Sequence, residues 1–128
     1  MKRSGKLYRR IAEWDNLLCA FYNAARGKRL KPDVVLYEKN LYENLKNLQA
    51  HLIEQTVSLG NYRFFKIYDP KERLICAAPF NERVVHHAII NIAGPVFERL
   101  QIYDSYACRK EKGTNAALLR ALHFTKRY

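Results

Sequence analysis

The sequence predicts an α+β fold that is mostly helical and contains one antiparallel β-hairpin at about residues 62–78. Apolar residues recur at steps of three and four before and after that segment, which is the spacing of one face of a helix. Inside the segment, two runs rich in aromatic and aliphatic residues flank a proline-containing turn. With 128 residues and 48% hydrophobic content, the chain is long enough for one domain with its own core.

Two helices are predicted before the hairpin. The first should run from Leu7 to about Arg26, where Gly27 ends it. Its apolar stripe consists of Leu7, Ile11, Trp14, Leu18, Phe21 and Ala25. The second should begin at Pro32 and reach about Gln55. Its stripe consists of Leu41, Leu45, Leu48 and Leu52. Because each helix has one apolar face, we expect the two to pack together.

The hairpin is predicted from the segment that surrounds Pro70. Proline fixes its own φ at the second position of a turn, and the side chain of Asp69 can bond to the neighbouring backbone, so residues 69–72 should reverse the chain. The strand from Arg73 to Ala78 then returns antiparallel to the strand from Arg63 to Tyr68. The result is a hairpin with a cationic tip.

A third, strongly apolar helix is predicted after the hairpin. Asn81 is its expected N-cap, and Gly94-Pro95 should kink or end it. Its apolar residues are Val84, Val85, Ala88, Ile89 and Ile92. The stretch Leu100 to Gly113 is predicted to be a loop, and Thr114 the N-cap of a last helix that continues to Tyr128.

The domain organisation is predicted to be simple. We expect an N-terminal helical pair over residues 1–57 and a second segment over residues 58–128, together in one compact unit. The cysteines, Cys19, Cys76 and Cys108, are widely spaced and form no C-x-x-C pair, so neither a disulfide framework nor a zinc site is indicated. Buried thiols are the expectation.

The charge of the chain predicts a polyanionic partner. Lys and Arg number 23 against 12 Asp and Glu, which gives a formal net charge of +11. A surplus of this size favours nucleic acid as the partner, with an anionic membrane surface as the rival. We find neither an apolar run of membrane-spanning length nor a signal-peptide pattern, so we expect a cytoplasmic protein with no membrane partner.

The tip of the hairpin carries the first candidate site. Lys71 supplies a point charge and Arg73 a planar fork, a combination suited to neighbouring oxygens of a polyphosphate. The alternative is that both side chains only solubilise the tip and pair with Asp69 or Glu72, and spacing alone favours this alternative. His86 and His87 diverge by ~100° around a helix axis, so they do not suggest a shared metal ion.

Three segments, in order, resemble the front of a bacterial reverse transcriptase. They read FKIYDPKERLICAAPF, NERVVHHAIINIAGPVFERL and IYDSYACRKEKGTNAAL. The chain is most similar to the enzymes of diversity-generating retroelements and resembles retron and group II intron reverse transcriptases more loosely. The likeness is continuous over residues 62–128 and weaker through the N-terminal helices, including WDNLLCAFYNAARGKRLKPDV.

The resemblance implies the fingers subdomain of an RNA-directed DNA polymerase, truncated before the palm. In that family, residues matching Lys71 and Arg73 contact the triphosphate of the incoming nucleotide. The expected nucleic-acid contacts are Lys66, Arg109, Lys110 and Lys112. For Lys110 and Lys112, a solvated charged loop is an equal alternative. The implied partners are an RNA template, a DNA primer or product, a dNTP and an accessory retroelement protein.

One position departs from the family pattern. These families have an Asp-Arg pair at the start of the third helix, where this chain has Glu82-Arg83. The charge is kept and the side chain is longer. We therefore expect a structural ion pair or a backbone cap to survive at this position.

No catalytic residue is assigned, because the carboxylates of a polymerase site are missing. Polymerase chemistry needs carboxylates gathered around two divalent ions, whereas no aspartate in this chain adjoins another, and none follows an apolar strand in the way that the first catalytic aspartate of the resembled family does. The aspartates are Asp15, Asp33, Asp69 and Asp104. We therefore expect the chain to be inactive alone and to bind no cofactor, with Mg²⁺ belonging to the complete enzyme. The apolar third and last helices, left without a palm, predict self-association.

A second hypothesis needs no polymerase ancestry. Charge and aromatic content fit a stand-alone basic adaptor that binds RNA equally well. An aspartate-bearing strand encoded after Tyr128 would favour the polymerase, whereas a natural stop codon would favour the adaptor.

Overall fold

The computed structural model describes residues 4–127, which contain six α-helices and one two-stranded antiparallel sheet. The elements are α1 (Leu7–Ile11), α2 (Trp14–Ala25), α3 (Pro32–Lys39), α4 (Leu41–Glu54), β1 (Arg63–Tyr68), β2 (Glu72–Ala77), α5 (Phe80–Leu100) and α6 (Thr114–Arg127). The predicted α+β class with one hairpin is confirmed. Tyr128, the predicted end of the last helix, lies outside the described residues.

The chain divides into two compact units at the Gly94 to Pro95 peptide, inside α5. The first unit holds α1 to α4, the hairpin and most of α5, and the second holds the end of α5, the following loop and α6. The predicted division of the chain into an N-terminal helical pair over residues 1–57 and a second segment over residues 58–128 stays a prediction.

The two predicted N-terminal helices are in fact four, so that prediction was wrong about continuity. Glu13 is extended, with φ −64° and ψ 138°, and separates α1 from α2. Asn40 separates α3 from α4. An apolar stripe cannot reveal these breaks, because the spacing of apolar residues continues through them.

Side-chain amides satisfy the backbone carbonyls at both breaks. At the first break, Asn16 donates to the Ile11 carbonyl at 2.9 Å and Gln49 donates to the Ala12 carbonyl at 2.7 Å. At the second break, Asn44 donates to the Tyr37 carbonyl at 3.0 Å. Since carbonyls at the end of a helix otherwise lack partners, these bonds stabilise the interrupted chain.

The core of the first unit lies between α2, α4 and the first half of α5. Its buried apolar residues include Leu17, Ala20, Phe21, Ala24, Val34, Leu45, Leu52, Phe80, Val84 and Ala88. The buried face of α2 is therefore rotated from the predicted stripe, with Trp14 and Leu18 at its margin. In α5 the buried residues include Phe80, Val84, Val85 and Ala88, whereas Ile89 is 37% exposed.

Helix α5 begins and continues differently from the prediction. It begins at Phe80, and the Arg83 N–H donates to the Pro79 carbonyl at 3.1 Å, so Asn81 lies in the first turn and is not the N-cap. The helix does not end at Gly94-Pro95 but continues to Leu100. A proline removes a single backbone donor, and this helix tolerates that loss.

The antiparallel hairpin forms as predicted, but the returning strand begins at Glu72 and not at Arg73, so the pairing is shifted by one residue and neither face is covered. Tyr68 pairs with Glu72 across a three-residue loop at residues 69–71, and Arg63 pairs with Ala77 at the open end. Every residue of β1 is exposed, and β2 is only slightly better covered.

Two further expectations concern exposure. The three cysteines are free and exposed, so the expectation of buried thiols was wrong. Among residues 4–127, no helix combines the length and the apolar character that crossing a membrane requires.

Candidate nucleic-acid interface

The hairpin presents aromatic and cationic side chains to solvent on both faces. Because strand residues alternate, Phe64, Lys66 and Tyr68 share one face, and Phe65 and Ile67 share the other. Phe64 is 62% exposed and Tyr68 is 72% exposed. Aromatic rings beside cations on an exposed ribbon are a platform on which nucleic-acid bases stack. The sequence contains these rings, but its alternation predicts only which rings share a face, not that both faces are uncovered.

Lys71 and Arg73 lie at the tip of this ribbon, as predicted. Lys71 is in the three-residue loop, and Arg73 stands opposite Ile67 in the register. Both are exposed, and neither forms an ion pair with any residue in the range 4–127. The alternative that they pair with Asp69 or Glu72 is not what is found.

Glu72 pairs with a different lysine. The Lys66 ammonium lies 2.5 Å from the Glu72 carboxylate, on the same face of the ribbon, with both side chains about half exposed. A surface pair of this kind contributes little to stability, so Lys66 can exchange this partner for another anion at small cost. The predicted nucleic-acid role of Lys66 stays a prediction.

The base of the hairpin is attached to α5 through a buried carboxylate. Glu82 is 1% exposed and accepts hydrogen bonds from the backbone N–H groups of Gly60, at 3.1 and 3.2 Å, and Asn61, at 3.0 Å. Gly60 and Asn61 precede β1, with Tyr62 between Asn61 and the strand. Glu82 was expected to form an ion pair or a helix cap, but it instead bonds backbone N–H groups of the segment before β1, which fixes the point from which the ribbon projects.

A group of cations from the linker after α2 and from α5 forms a further candidate site, which was not predicted from the sequence. Burial lowers the pKa of Lys28, and the charges of Arg83 and Lys31 lower it further, whereas Asp33 acts in the opposite direction. Burial also lowers the pKa of His87, with smaller contributions from Arg83, Lys28 and His86. The signal in the sequence is the basic run from Gly27 to Lys31, between the two predicted N-terminal helices.

In the second unit, Arg109 is bound within its own loop. Its guanidinium donates to the carboxylate of Glu98, to the Ile102 carbonyl at 2.8 Å and to the Ser105 carbonyl at 3.0 Å, and its side chain is only 12% exposed. The hydrogen bond from Arg109 lowers the pKa of Glu98. Arg109 therefore organises the loop. Its predicted contact with nucleic acid stays a prediction, and most of its N–H donors are already used inside the loop.

The remaining predicted cations of this loop differ from each other. Lys112 donates to the Tyr103 carbonyl and lies 4.3 Å from the centroid of the Tyr103 ring and 4.9 Å from that of Tyr106. Lys110 is exposed, and no contact binds it to another described residue. Of the two, Lys110 has the side chain that is available to a ligand.

An ion pair connects the same loop to α6. The Arg120 guanidinium donates to Asp104 at 2.8 Å, and this bond lowers the pKa of the Asp104 carboxyl. Arg120 also lies over the rings of Tyr103, at 5.3 Å, and Phe124, at 4.5 Å. Tyr103 and Asp104 of this loop are thus already in contact with cations of the chain itself.

The described carboxylates do not offer a ligand set for Mg²⁺. Within residues 4–127, no three side chains of His, Cys, Asp or Glu lie close enough together to hold a metal ion. Glu82 and Asp104 are already engaged by backbone N–H groups and by Arg120. No chemical step is therefore assigned to a metal bound by these residues.

Comparison with known proteins adds no relative. No protein-family model matches the chain, and no curated protein matches its sequence.

Proposed function

We propose that this chain is the fingers part of an RNA-directed DNA polymerase of the reverse transcriptase class. Lys71 and Arg73 hold the triphosphate of an incoming nucleotide in that enzyme, and the ribbon beside them contacts RNA template and DNA primer. The carboxylates that bind Mg²⁺ belong to a palm outside this sequence. The proposal rests on the resemblance of three ordered segments and on one structural observation.

That observation is that two cations without an ion-pair partner lie at the tip of a hairpin whose base is held by hydrogen bonds. Lys71 and Arg73 are exposed and form no ion pair within the described range, while Glu72, the nearest acid on β2, is bound to Lys66. A polyphosphate can therefore be bound without first breaking an internal pair. The Glu82 hydrogen bonds hold the base of the ribbon, so the tip is presented from a fixed support.

The test is protection of Lys71 by nucleotide in a polymerase that carries this segment. Lysines are acylated with and without dNTP, in the presence of primer and template, and the modified positions are identified by mass spectrometry. We expect Lys71 to be protected, and Lys39, exposed at the end of α3, to be labelled equally in both conditions. Equal labelling of Lys71 with and without dNTP would contradict its role.

Kinetics provide the second arm of the test. Arg73→Lys keeps the charge but loses the fork, so we expect a raised KM for dNTP with a smaller change in kcat. The chain alone should not extend a primer in Mg²⁺. RNA binding that is strong and indifferent to dNTP, with no downstream aspartate-bearing strand, would support the adaptor instead.

Self-association belongs to the same proposal. Helix α6 has no buried residue, and three of its leucines are exposed: Leu118, Leu119 and Leu122. In the complete polymerase these side chains would pack on the palm. Light scattering of the isolated chain should therefore show mass rising with concentration, and a monomer at high concentration would count against it.

A further inference from the structure

The strongest unassigned feature is the cation cluster where the linker after α2 meets α5. Lys28 and Lys31 come from the linker, and Arg83 and His87 lie one turn apart on α5. The Lys31 N–H donates to the Lys28 carbonyl at 2.9 Å, and Lys31 lines one cleft together with Pro79 and Phe80, so this linker lies beside the first turn of α5. Since like charges repel, an anion bound among them would relieve that repulsion.

Acids of the chain do not neutralise this cluster. Neither Lys28, Lys31 nor Arg83 forms an ion pair with a residue in the described part of the chain. Asp33 is the single acid whose charge acts on Lys28. The cluster therefore carries a net positive charge that a bound anion would stabilise.

A cleft adjoins the cluster at the base of the hairpin. It has a volume of about 490 Å³, within the usual range of ligand sites, and its lining includes Lys31, Asp33, Asn61, Arg63, Ala77 and Phe80. It is open on one side, so a long ligand can cross it without being enclosed. Its lining contains two cations and one acid, which favours an anion.

The cleft continues onto one face of the ribbon. Arg63 and Ala77, the terminal pair of the hairpin, line the cleft, and the alternation of β1 places Phe65 on the same face as Arg63. The Arg63 guanidinium lies 5.9 Å from the centroid of the Phe65 ring, which is 41% exposed. Phosphates in the cleft and bases against this face would thus be bound by adjoining surfaces.

We propose that the cleft and its cations bind the backbone phosphates of a single-stranded polynucleotide. This choice of partner rests on the proposed function, but the site is separate from the hairpin tip. Five strand residues separate the two, which is roughly 17 Å at a rise of about 3.3 Å per residue. A polynucleotide fits better than an anionic membrane, because the exposed ring beside Arg63 offers a stacking surface for a base.

The experiment measures binding of a fluorescent single-stranded RNA by the full chain at several salt concentrations. The test variant is Lys28→Gln with Lys31→Gln. Both residues lie outside the helices, and their side chains form no internal hydrogen bond or ion pair, so the variant should still fold. Each lost phosphate contact should reduce the slope of log affinity against log salt by about 0.7. We therefore expect a slope lower by about 1.4 and weaker binding at low salt.

The matched control is Lys39→Gln with Lys46→Gln, which removes the same charge from the exposed sides of α3 and α4. Its slope should change by less than half as much. Arg83→Gln should reproduce part of the loss, and Arg83→Lys should restore most of it. Equal slopes for the test and control variants, or no RNA binding by the unaltered chain, would overturn the proposal.

A tip variant keeps this proposal distinguishable from the proposed function. Arg73→Gln should weaken the protection of Lys71 by dNTP in the polymerase and change RNA affinity less than the linker variant does. If dNTP protection fails while the linker variant still lowers the salt slope, the cleft proposal stands and the triphosphate proposal falls. If dNTP protects Lys71 but the linker variant leaves the salt slope unchanged, the cleft proposal falls and the triphosphate proposal stands.

Discussion

The buried carboxylate of Glu82 accepts a hydrogen bond from the backbone N–H of Asn61 at 3.0 Å, so an acid on α5 fixes the start of the hairpin. The same carboxylate binds the N–H of Gly60, whose φ of +110° is a conformation that side-chain-bearing residues rarely adopt. The attachment thus depends on one residue from each of two distant segments.

Replacing Glu82 with alanine should destabilise the first unit. The substitution leaves two backbone donors without their acceptor and opens a small space in the core, which costs about 1–3 kcal/mol in free energy of unfolding. Urea unfolding followed by circular dichroism measures it. Glu38→Ala, on the exposed end of α3, should change the free energy by less than about 0.5 kcal/mol. Equal effects at the two positions would contradict the anchoring role.

Protonation of His87 should destabilise the fold in mild acid. Its pKa is lowered from the ordinary value of 6.5, by burial first and then by Arg83, Lys28 and His86. The unfolded chain therefore binds the proton more readily, and the contribution of neutral His87 is lost as the pH falls below 6.5. His87→Gln should make the unfolding midpoint less dependent on pH between about 7.5 and about 5.5.

The control for this pH dependence is His51→Gln, at an exposed position on α4. It should retain the slope of the unaltered chain. An unchanged slope in His87→Gln would show that other groups govern the acid response.

Ionisation of Tyr37 should destabilise the first unit at alkaline pH. Burial raises its pKa from 10.0 to about 12, and its ring packs against Phe80 at 5.2 Å between centroids. Because the folded state favours the neutral phenol, its contribution is fully present below pH 10 and is lost as the pH rises toward about 12. Tyr37→Phe should lessen that loss, measured as the unfolding midpoint, whereas Tyr68→Phe on the exposed ribbon should not.

Arg109 should control the order of the loop at residues 101–113. Arg109→Lys loses the planar fork that bonds Glu98, Ile102 and Ser105 together. We expect the amides of that loop to exchange with deuterium roughly tenfold faster, because opening no longer breaks those bonds. Lys110→Gln, one residue away and exposed, should leave the exchange rates unchanged. Slow exchange in Arg109→Lys would rule out the organising role.

Several features could be predicted from local sequence. Pro70 and Asp69 predicted the turn and the antiparallel hairpin, although the returning strand begins one residue earlier than predicted and the register is shifted accordingly. The breaks at Glu13 and Asn40 could not be predicted, because neither interrupts the apolar stripe. They are stabilised by amides from elsewhere, such as Gln49, 37 residues from the Ala12 carbonyl to which it donates.

The candidate site divides in the same way. Lys71 and Arg73 were evident as cations beside a turn, and the sequence favoured internal pairing for them. The structure leaves them unpaired because the register brings Lys66 to Glu72 instead. The cluster of Lys28 and Arg83 was not predicted, since the two are distant in sequence.

By itself, the sequence determined the fold class, the hairpin with its cationic tip and the surplus of positive charge, because each follows from residue types, spacing and local backbone preference. Only the tertiary structure decided which helix faces are buried, where the N-terminal helices break, which cations stay unpaired and how the linker meets α5. Those features depend on contacts between residues far apart in the chain, such as the Asn16 amide and the Ala88 carbonyl at 3.0 Å. Local periodicity carries no information about such partners.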